Sequence, residues 1–340
     1  MTIASHPLVI AHRGASGYRP EHTRAAYELA CALGADAIEP DIVASKDGVL
    51  VLRHENEISG TTDVAHHPEF ADRRTTKTID GVKHTGWFTE DFTWAELSTL
   101  GAIERLPEIR QSGSTFDSHE GILRLRDLMD IIDEQSAASG RQIIMVAEFK
   151  HSHYFSSIGL PLDELFEEET RGWATEDNLI VESFEQSVLV KLRDRGIPGK
   201  RIFLVEKAGA PADLRALHGT SAVTYADHLT PEGLVKLRAS VDGISVDRAM
   251  LLERDAAGHA IGVTDLVHRA HAVGLEVFTW TLRPENKFLS KNHRRGPSAR
   301  DFGDWQREFA LILSSGVDGV FADHPDLAIV ARRSLRAIGV

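Results

Sequence analysis

LVIAHRGASGYRPEHTRAAYELACALGADAIEPDIV, residues Leu8 to Val43, contains a complete strand, helix and strand in order. Leu8–His12 and Ala37–Val43 are short apolar runs rich in Val and Ile, while His22–Leu33 between them carries a helical pattern. Gly34 follows that pattern directly, as a helix C-terminal cap should. Working outward, the unit recurs. Six further apolar runs follow: Gln142–Lys150, Asn178–Phe184, Arg201–Glu206, Val241–Val246, Leu275–Leu282 and Gly316–Ala322. Helical stretches lie between or beside them at Leu123–Gln135, Leu162–Arg171, Gln186–Asp194, Pro231–Ala239, Thr264–Val273 and Trp305–Ser314, with a last one near Asp326–Ala337. Gly274 in AVGLEVF and Gly316 in SSGVDGVF repeat the capping device. Eight alternating units predict parallel strands with crossover helices, closed into a (β/α)8 TIM barrel as a single α/β domain over residues 1–340.

Two stretches break the alternation. Glu57–Asp117 is rich in Thr, Asp and aromatic residues, and Arg283–Asp304 is basic and carries ENKFLSKNHRRG. Loops longer than about 12–15 residues usually cover or line a site. Residues 57–117 are therefore expected to form a small cap inserted after the second strand, and 283–304 a lid on the same face.

Apolar residues make up 42% of the chain and charged residues 26%, the balance of a folded protein with a substantial core. The one cysteine, Cys31, sits among Ala30, Ala32 and Leu33 and reads as a buried helix position without a disulfide. No run of 18 apolar residues exists to cross a bilayer, and MTIASHPLVIAH lacks the basic region and long apolar stretch of a secretory leader. A cytoplasmic location is the expectation. A formal charge of −13 argues against nucleic acid or an anionic membrane as partner. A small anion can still bind where a cation or a few local bases reverse the field.

The chemistry sits at the ends of the apolar runs. Glu39 and Asp41 in IEPD stand at i and i+2 of a strand and project to one side. Two carboxylates that close repel unless a cation lies between them. Glu148 in VAEFK ends the third strand and adds a third oxygen ligand. Such an all-oxygen set suits one hard divalent cation, Ca²⁺ or Mg²⁺, better than zinc. His12 ends the first strand and His54 the short run Val49–Arg53, so both imidazoles can reach one barrel mouth. An ordinary imidazole pKa near 6.5 lets two such rings divide the roles of general acid and base. Arg13 offers a fork to phosphate oxygens, and Lys150, two residues past Glu148, faces the same side. The remaining histidines singled out, His66, His67, His84, His268 and His271, read as structural.

HRGASGYRPEHT at 12–23, EPDIVASKDGVLVLRH at 39–54, AEFK at 147–150, ESF at 182–184, TWT at 279–281 and GVDGVFADHPD at 316–326 together resemble the glycerophosphodiester phosphodiesterase family. The long stretch after His54 and the PEHT form resemble the branch that includes periplasmic glycerophosphodiesterases. The resemblance implies hydrolysis of sn-glycerol-3-phosphate diesters, glycerophosphocholine-like small molecules, to glycerol 3-phosphate and an alcohol. It implies Glu39, Asp41 and Glu148 as metal ligands, His12 and His54 as acid and base, and Arg13 and Lys150 as phosphate contacts. Trp280 would pack against the glycerol, and Glu206 is a further pocket contact. The chain departs from the family in Ala322, where threonine is common before the aspartate of the last strand, and in its basic 283–304 stretch.

Two other classes are compatible with a barrel: a phosphoester-binding protein without turnover, and a metal-dependent aldolase or lyase. Binding alone needs no proton-transfer pair, and a lyase needs a base beside a carbonyl pocket. Release of glycerol 3-phosphate from a diester separates all three.

Overall fold

The computed structural model describes residues 6–338. Eight strands lie parallel: β1 (Leu8–His12), β2 (Ala37–Glu39 and Asp41–Ala44), β3 (Ile144–Phe149), β4 (Leu179–Ser183), β5 (Lys200–Val205), β6 (Gly243–Asp247), β7 (Glu276–Leu282) and β8 (Gly319–Ala322). Each pairs with its neighbour in the chain, and β8 returns to β1 with Leu8 opposite Gly319, which closes the barrel. The run expected as one strand at Ala37–Val43 is split at Pro40, whose ring nitrogen has no hydrogen to give the ladder.

Alternation along these strands explains both the core and the site. Leu8, Ile10 and His12 point inward on β1, as do Ile144, Val146 and Glu148 on β3, Ile180 and Glu182 on β4, and Phe278 and Trp280 on β7. The lower members, Ile10, Ala37, Val146, Ile180, Ile202, Phe278 and Phe321, fill the barrel and exclude water. The upper members at the strand C-termini are the polar ones. Phe278 is 1% exposed in this plug, so Phe278→Ala is expected to lower unfolding free energy by about 3–5 kcal/mol, read as a fall in the urea midpoint.

Helices Arg24–Ala32, Leu125–Ser139, Leu162–Thr170, Gln186–Asp194, Pro231–Leu237, Leu266–Ala272, Trp305–Leu313 and Pro325–Ile338 pack outside the barrel, close to the predicted stretches. Gly34, Gly274 and Gly316 adopt φ of +95°, +82° and +87°, the left-handed turn expected after a helix. Among the described residues no helix is long and apolar enough to cross a membrane.

The run Val49–Arg53 is not a barrel strand. Leu50–Leu52 doubles back antiparallel on Asp41–Ala44, with Ile42 opposite Leu52, and so returns His54 to the mouth. Residues 57–117 hold a hairpin, Thr75–Ile79 with Val82–Gly86, and a short helix Trp94–Leu97 capped by Thr93. Ile58, Phe70, Phe92 and Leu97 join the same apolar cluster as Leu52 and Leu125, so this segment shares the core of the barrel's outer layer.

Residues 283–304 were expected to form a lid. Their basic side chains are largely turned to internal bonds: Arg295 to Asp304 at 2.6 Å, Arg294 to the Leu289 carbonyl at 3.0 Å and Arg283 to Asp323 at 2.6 Å. His293 joins Glu308 at 2.9 Å, and Asn286 binds the carbonyl of Ser298 at 2.9 Å, which ties the segment to itself and to helix Trp305–Leu313.

Candidate active site

Strand register brings the polar ends together. His12 lies opposite Glu39 across β1 and β2, Asp41 opposite Glu148 across β2 and β3, and Glu148 opposite Glu182 across β3 and β4. A row of chemically active residues therefore runs around one quadrant of the mouth, all of them buried.

Glu39, Glu148 and Glu182 form a group in which one carboxylate oxygen from each lies within 4.8 Å of the other two. Oε1 of Glu39 and Oε2 of Glu182 are buried with no hydrogen-bond partner among the described residues. Burial first, then the negative charge of Asp41, raises the Glu39 carboxyl well above its ordinary range. Burial likewise pushes Glu148 to about 8 and, with help from Glu148 and Asp41, raises Glu182. Three carboxyl groups that resist ionising together, two of them with an unpartnered buried oxygen, are a donor set that could hold a metal ion. The residues present fit such an ion.

Asp41 is differently placed. Its Oδ2 meets His22 Nε2 at 2.9 Å and Arg13 Nε at 3.1 Å, and its Oδ1 faces Lys150 Nζ at 3.1 Å. Burial opposes ionisation here, but Lys150 and Arg13 outweigh it and hold Asp41 well below the usual carboxylate range. Lys150 also meets Glu148 Oε1 at 2.6 Å. Arg13 donates its backbone N–H to Glu39 Oε2 at 2.6 Å and Nη1–H to Glu21 Oε2 at 3.0 Å. Both predicted phosphate contacts thus sit against the acidic cluster and pair with it. Gly14, at φ +82°, lets this turn approach the next helix, because an added Cβ would stand 2.7 Å from the Ala26 carbonyl carbon.

Each predicted proton-transfer histidine has a carboxylate on Nδ1. His12 Nδ1 is 2.7 Å from Asp323 Oδ1, and His54 Nδ1 is 2.5 Å from Glu55 Oε1. Such a partner fixes the tautomer and orients the ring, leaving Nε2 for a reacting group. Burial and then Arg13 lower the His12 imidazole to about 4; burial, Arg13 and Lys150 lower that of His54 to about 3.

A cavity of about 360 Å³ opens beside this row, and His54, Glu148, Lys150, Phe184, Glu206 and Tyr225 line it. Glu206 is exposed on its outer wall. Trp280 is half-buried near the end of β7, its ring edge-on to Phe184 at 5.8 Å, and its Nε1–H has no partner among the described residues.

Sequence reasoning assigned no role to Glu182, His22, Glu55, Asp323, Arg105 or Arg110. Glu182 was available to it, because an acid at the end of an apolar run is the signal that marked Glu148. The others depend on contacts between distant segments, which spacing does not reveal.

The chain matches the Glycerophosphoryl diester phosphodiesterase family over residues 12–327. Glycerophosphodiester phosphodiesterase GDPD6 of Arabidopsis thaliana is 32% identical over 335 residues, covering 94% of this chain and 84% of that protein. A glycerophosphodiester phosphodiesterase of Haemophilus influenzae is 25% identical over 347 residues, covering 96% and 89%. Among solved structures, a putative glycerophosphoryl diester phosphodiesterase of Silicibacter pomeroyi superposes with TM-score 0.65 at 19% identity, covering 98% of this chain and 95% of that one. A phosphodiesterase of Oleispira antarctica, solved in complex with the product sn-glycerol-3-phosphate, gives 0.60 at 19% identity, with 96% of each chain covered. With a parallel barrel, an acidic cluster at its mouth and family sequence along nearly its whole length, the chain belongs to the glycerophosphodiester phosphodiesterases and is an enzyme of that family.

Proposed function

We propose that this enzyme hydrolyses glycerophosphodiesters carrying a cationic alcohol, glycerophosphocholine-like, to sn-glycerol 3-phosphate and the free alcohol. His12 and His54 form the proton-transfer pair. The observation that carries the reading is the juxtaposition of two carboxylate-backed imidazoles with buried, mutually repelling acids and two cations at one mouth.

Glu39 and Glu148 would hold one Ca²⁺ or Mg²⁺ ion, with Asp41 and Glu182, the register neighbours of Glu148 on either side, supplying further oxygens. Bound there, the ion supplies charge neutralisation at a phosphate oxygen. Arg13 and Lys150 add positive charge where phosphate oxygens gain negative charge, and Lys150 exchanges part of its pairing with Asp41 and Glu148 for the substrate. One imidazole Nε2 takes the proton of the nucleophile, either water or the neighbouring glycerol hydroxyl, the latter giving a cyclic phosphate that water then opens to glycerol 3-phosphate. The other protonates the leaving alkoxide, whose basicity otherwise resists departure. Trp280 would present its ring face to the glycerol carbons.

The cavity walls favour a positive head group. Four carboxylates, those of Glu55, Glu57, Asp80 and Glu206, line it beside Lys150 and Arg215, and Phe184 and Tyr225 supply aromatic rings that could meet an ammonium. Glycerophosphocholine incubated with the enzyme and Ca²⁺ or Mg²⁺ is expected to release glycerol 3-phosphate, measured by a coupled dehydrogenase assay. Its kcat/KM should exceed that of glycerophosphoinositol about tenfold, the value of one cation–aromatic contact. No release from any diester overturns the reaction; equal rates across head groups overturn the cation preference alone.

A further inference from the structure

We propose that Arg105 and Arg110, both from the 57–117 segment, are positioning residues that set the orientation of His54 and His12 by gripping the carboxylates behind them. The proposal rests on the two-histidine reading above and extends it to a segment that sequence suggested only as a cover.

The two arms are built alike. Glu55, whose Oε1 meets His54, is held by Arg105 through Nη1 to Oε1 at 2.9 Å and Nη2 to Oε2 at 2.7 Å. Arg105 is itself anchored by a second fork on buried Glu21, Nε to Oε2 at 2.7 Å and Nη2 to Oε1 at 2.6 Å. On the other arm Asp323, whose Oδ1 meets His12, accepts from Arg110 Nη2 at its Oδ2, 2.5 Å away. Arg110 is 6% exposed and also donates to Glu285 Oε1 at 2.8 Å and to the Ser16 carbonyl at 3.2 Å.

A carboxylate orients a histidine only if its own torsions are fixed. Glu55 sits at the cavity rim with its side chain 34% exposed, and among the described residues the guanidinium of Arg105 is what holds both of its oxygens. The planar fork of arginine can fix a carboxylate in this way, whereas a lysine ammonium supplies charge without direction. Asp323 has a second support, Arg283 Nε at 2.6 Å from Oδ2. The arms are therefore graded: loss of Arg105 leaves Glu55 with only the ring of His54, whereas loss of Arg110 leaves Asp323 still held by Arg283.

The alternative is that both arginines merely fasten the segment to the barrel. A double-variant cycle separates the two. Arg105→Gln is expected to lower kcat on glycerophosphocholine about 10- to 100-fold, the usual cost of removing a group that orients a histidine, with KM little changed. In a His54→Ala background, followed by single-turnover assay at excess enzyme, the same substitution should change the residual rate less than about twofold, because its effect passes through the missing ring. Arg105→Lys, which keeps charge and bulk, should behave like the glutamine variant and carries the test if Arg105→Gln does not fold. Arg110→Gln should cost less than Arg105→Gln. Equal losses in the two backgrounds, or unchanged kcat in both Arg105 variants, overturn the proposal while leaving the reaction intact. A wild-type enzyme that releases no glycerol 3-phosphate overturns both.

Discussion

His54→Ala should lower kcat for glycerophosphocholine by about 10²–10⁴-fold with the circular dichroism spectrum and melting temperature close to wild type, and His12→Ala should do the same. The magnitude is that of a lost general acid or base. The fold is expected to survive because neither ring fills the barrel plug, which is built one layer lower from Ile10, Val146, Phe278 and Phe321. Burial beside Arg13 lowers His12 to about 4 and His54 to about 3, from the ordinary 6.5, so both rings are neutral in the resting enzyme at pH 7. The sign of the pH dependence follows. A base that stays neutral to lower pH keeps the free enzyme competent there, and the acid limb of kcat/KM should lie below pH 6.5. The ring that acts as acid must then gain its proton as the anionic phosphate arrives, since the anion offsets Arg13 and Lys150. An acid limb at or above 6.5, or either alanine variant turning over at the wild-type rate, removes that histidine from proton transfer.

Chelation should be nearly as damaging. Neutralising a phosphate oxygen contributes several kcal/mol to such a reaction, so EDTA is expected to reduce turnover at least ~100-fold, with recovery on adding Ca²⁺ or Mg²⁺. Full activity in the chelator would exclude the ion. Its ligands also predict proton release. Burial and mutual repulsion raise Glu39 and Glu182 above their ordinary range and Glu148 to about 8, so ion binding is expected to release protons. Affinity should therefore climb as pH rises from 6 toward 8, about tenfold per pH unit for each proton displaced, measured by titration calorimetry in buffers of different ionisation enthalpy. Glu182→Gln and Asp41→Asn should each weaken binding; an unchanged affinity in either variant removes that residue from the ligand set.

How much of this was legible in the sequence differs from layer to layer. The barrel was, because helical and strand periods alternate from Leu8 onward and glycines such as Gly34 and Gly274 mark each helix end. Glu148, at the end of an apolar run, announced itself by position alone. The hairpin in 75–86 was legible but unread: Asp80-Gly81 is a favoured two-residue turn, and both residues adopt positive φ. The short helices Ala212–His218 and Tyr225–His228, within strand-to-helix connections, span too few turns to show a period. Sequence left the pairing of the run before His54 open, and the structure sets Leu50–Leu52 antiparallel to Asp41–Ala44.

Sequence alone determined that His12 and Glu148 lie near the ends of their apolar runs, and that Glu39 and Asp41 share a face of β2, because side-chain direction in a strand depends only on parity along the chain. Tertiary structure decided which of them meet. Register across β1 to β4 placed Glu182 beside Glu148 and His12 opposite Glu39, and register is a property of paired strands rather than of either one. It also decided what stands behind each imidazole. Arg105 reaches Glu55 and Arg110 reaches Asp323 across gaps of 50 and 213 residues, distances in sequence that only a closed fold can bring within a hydrogen bond.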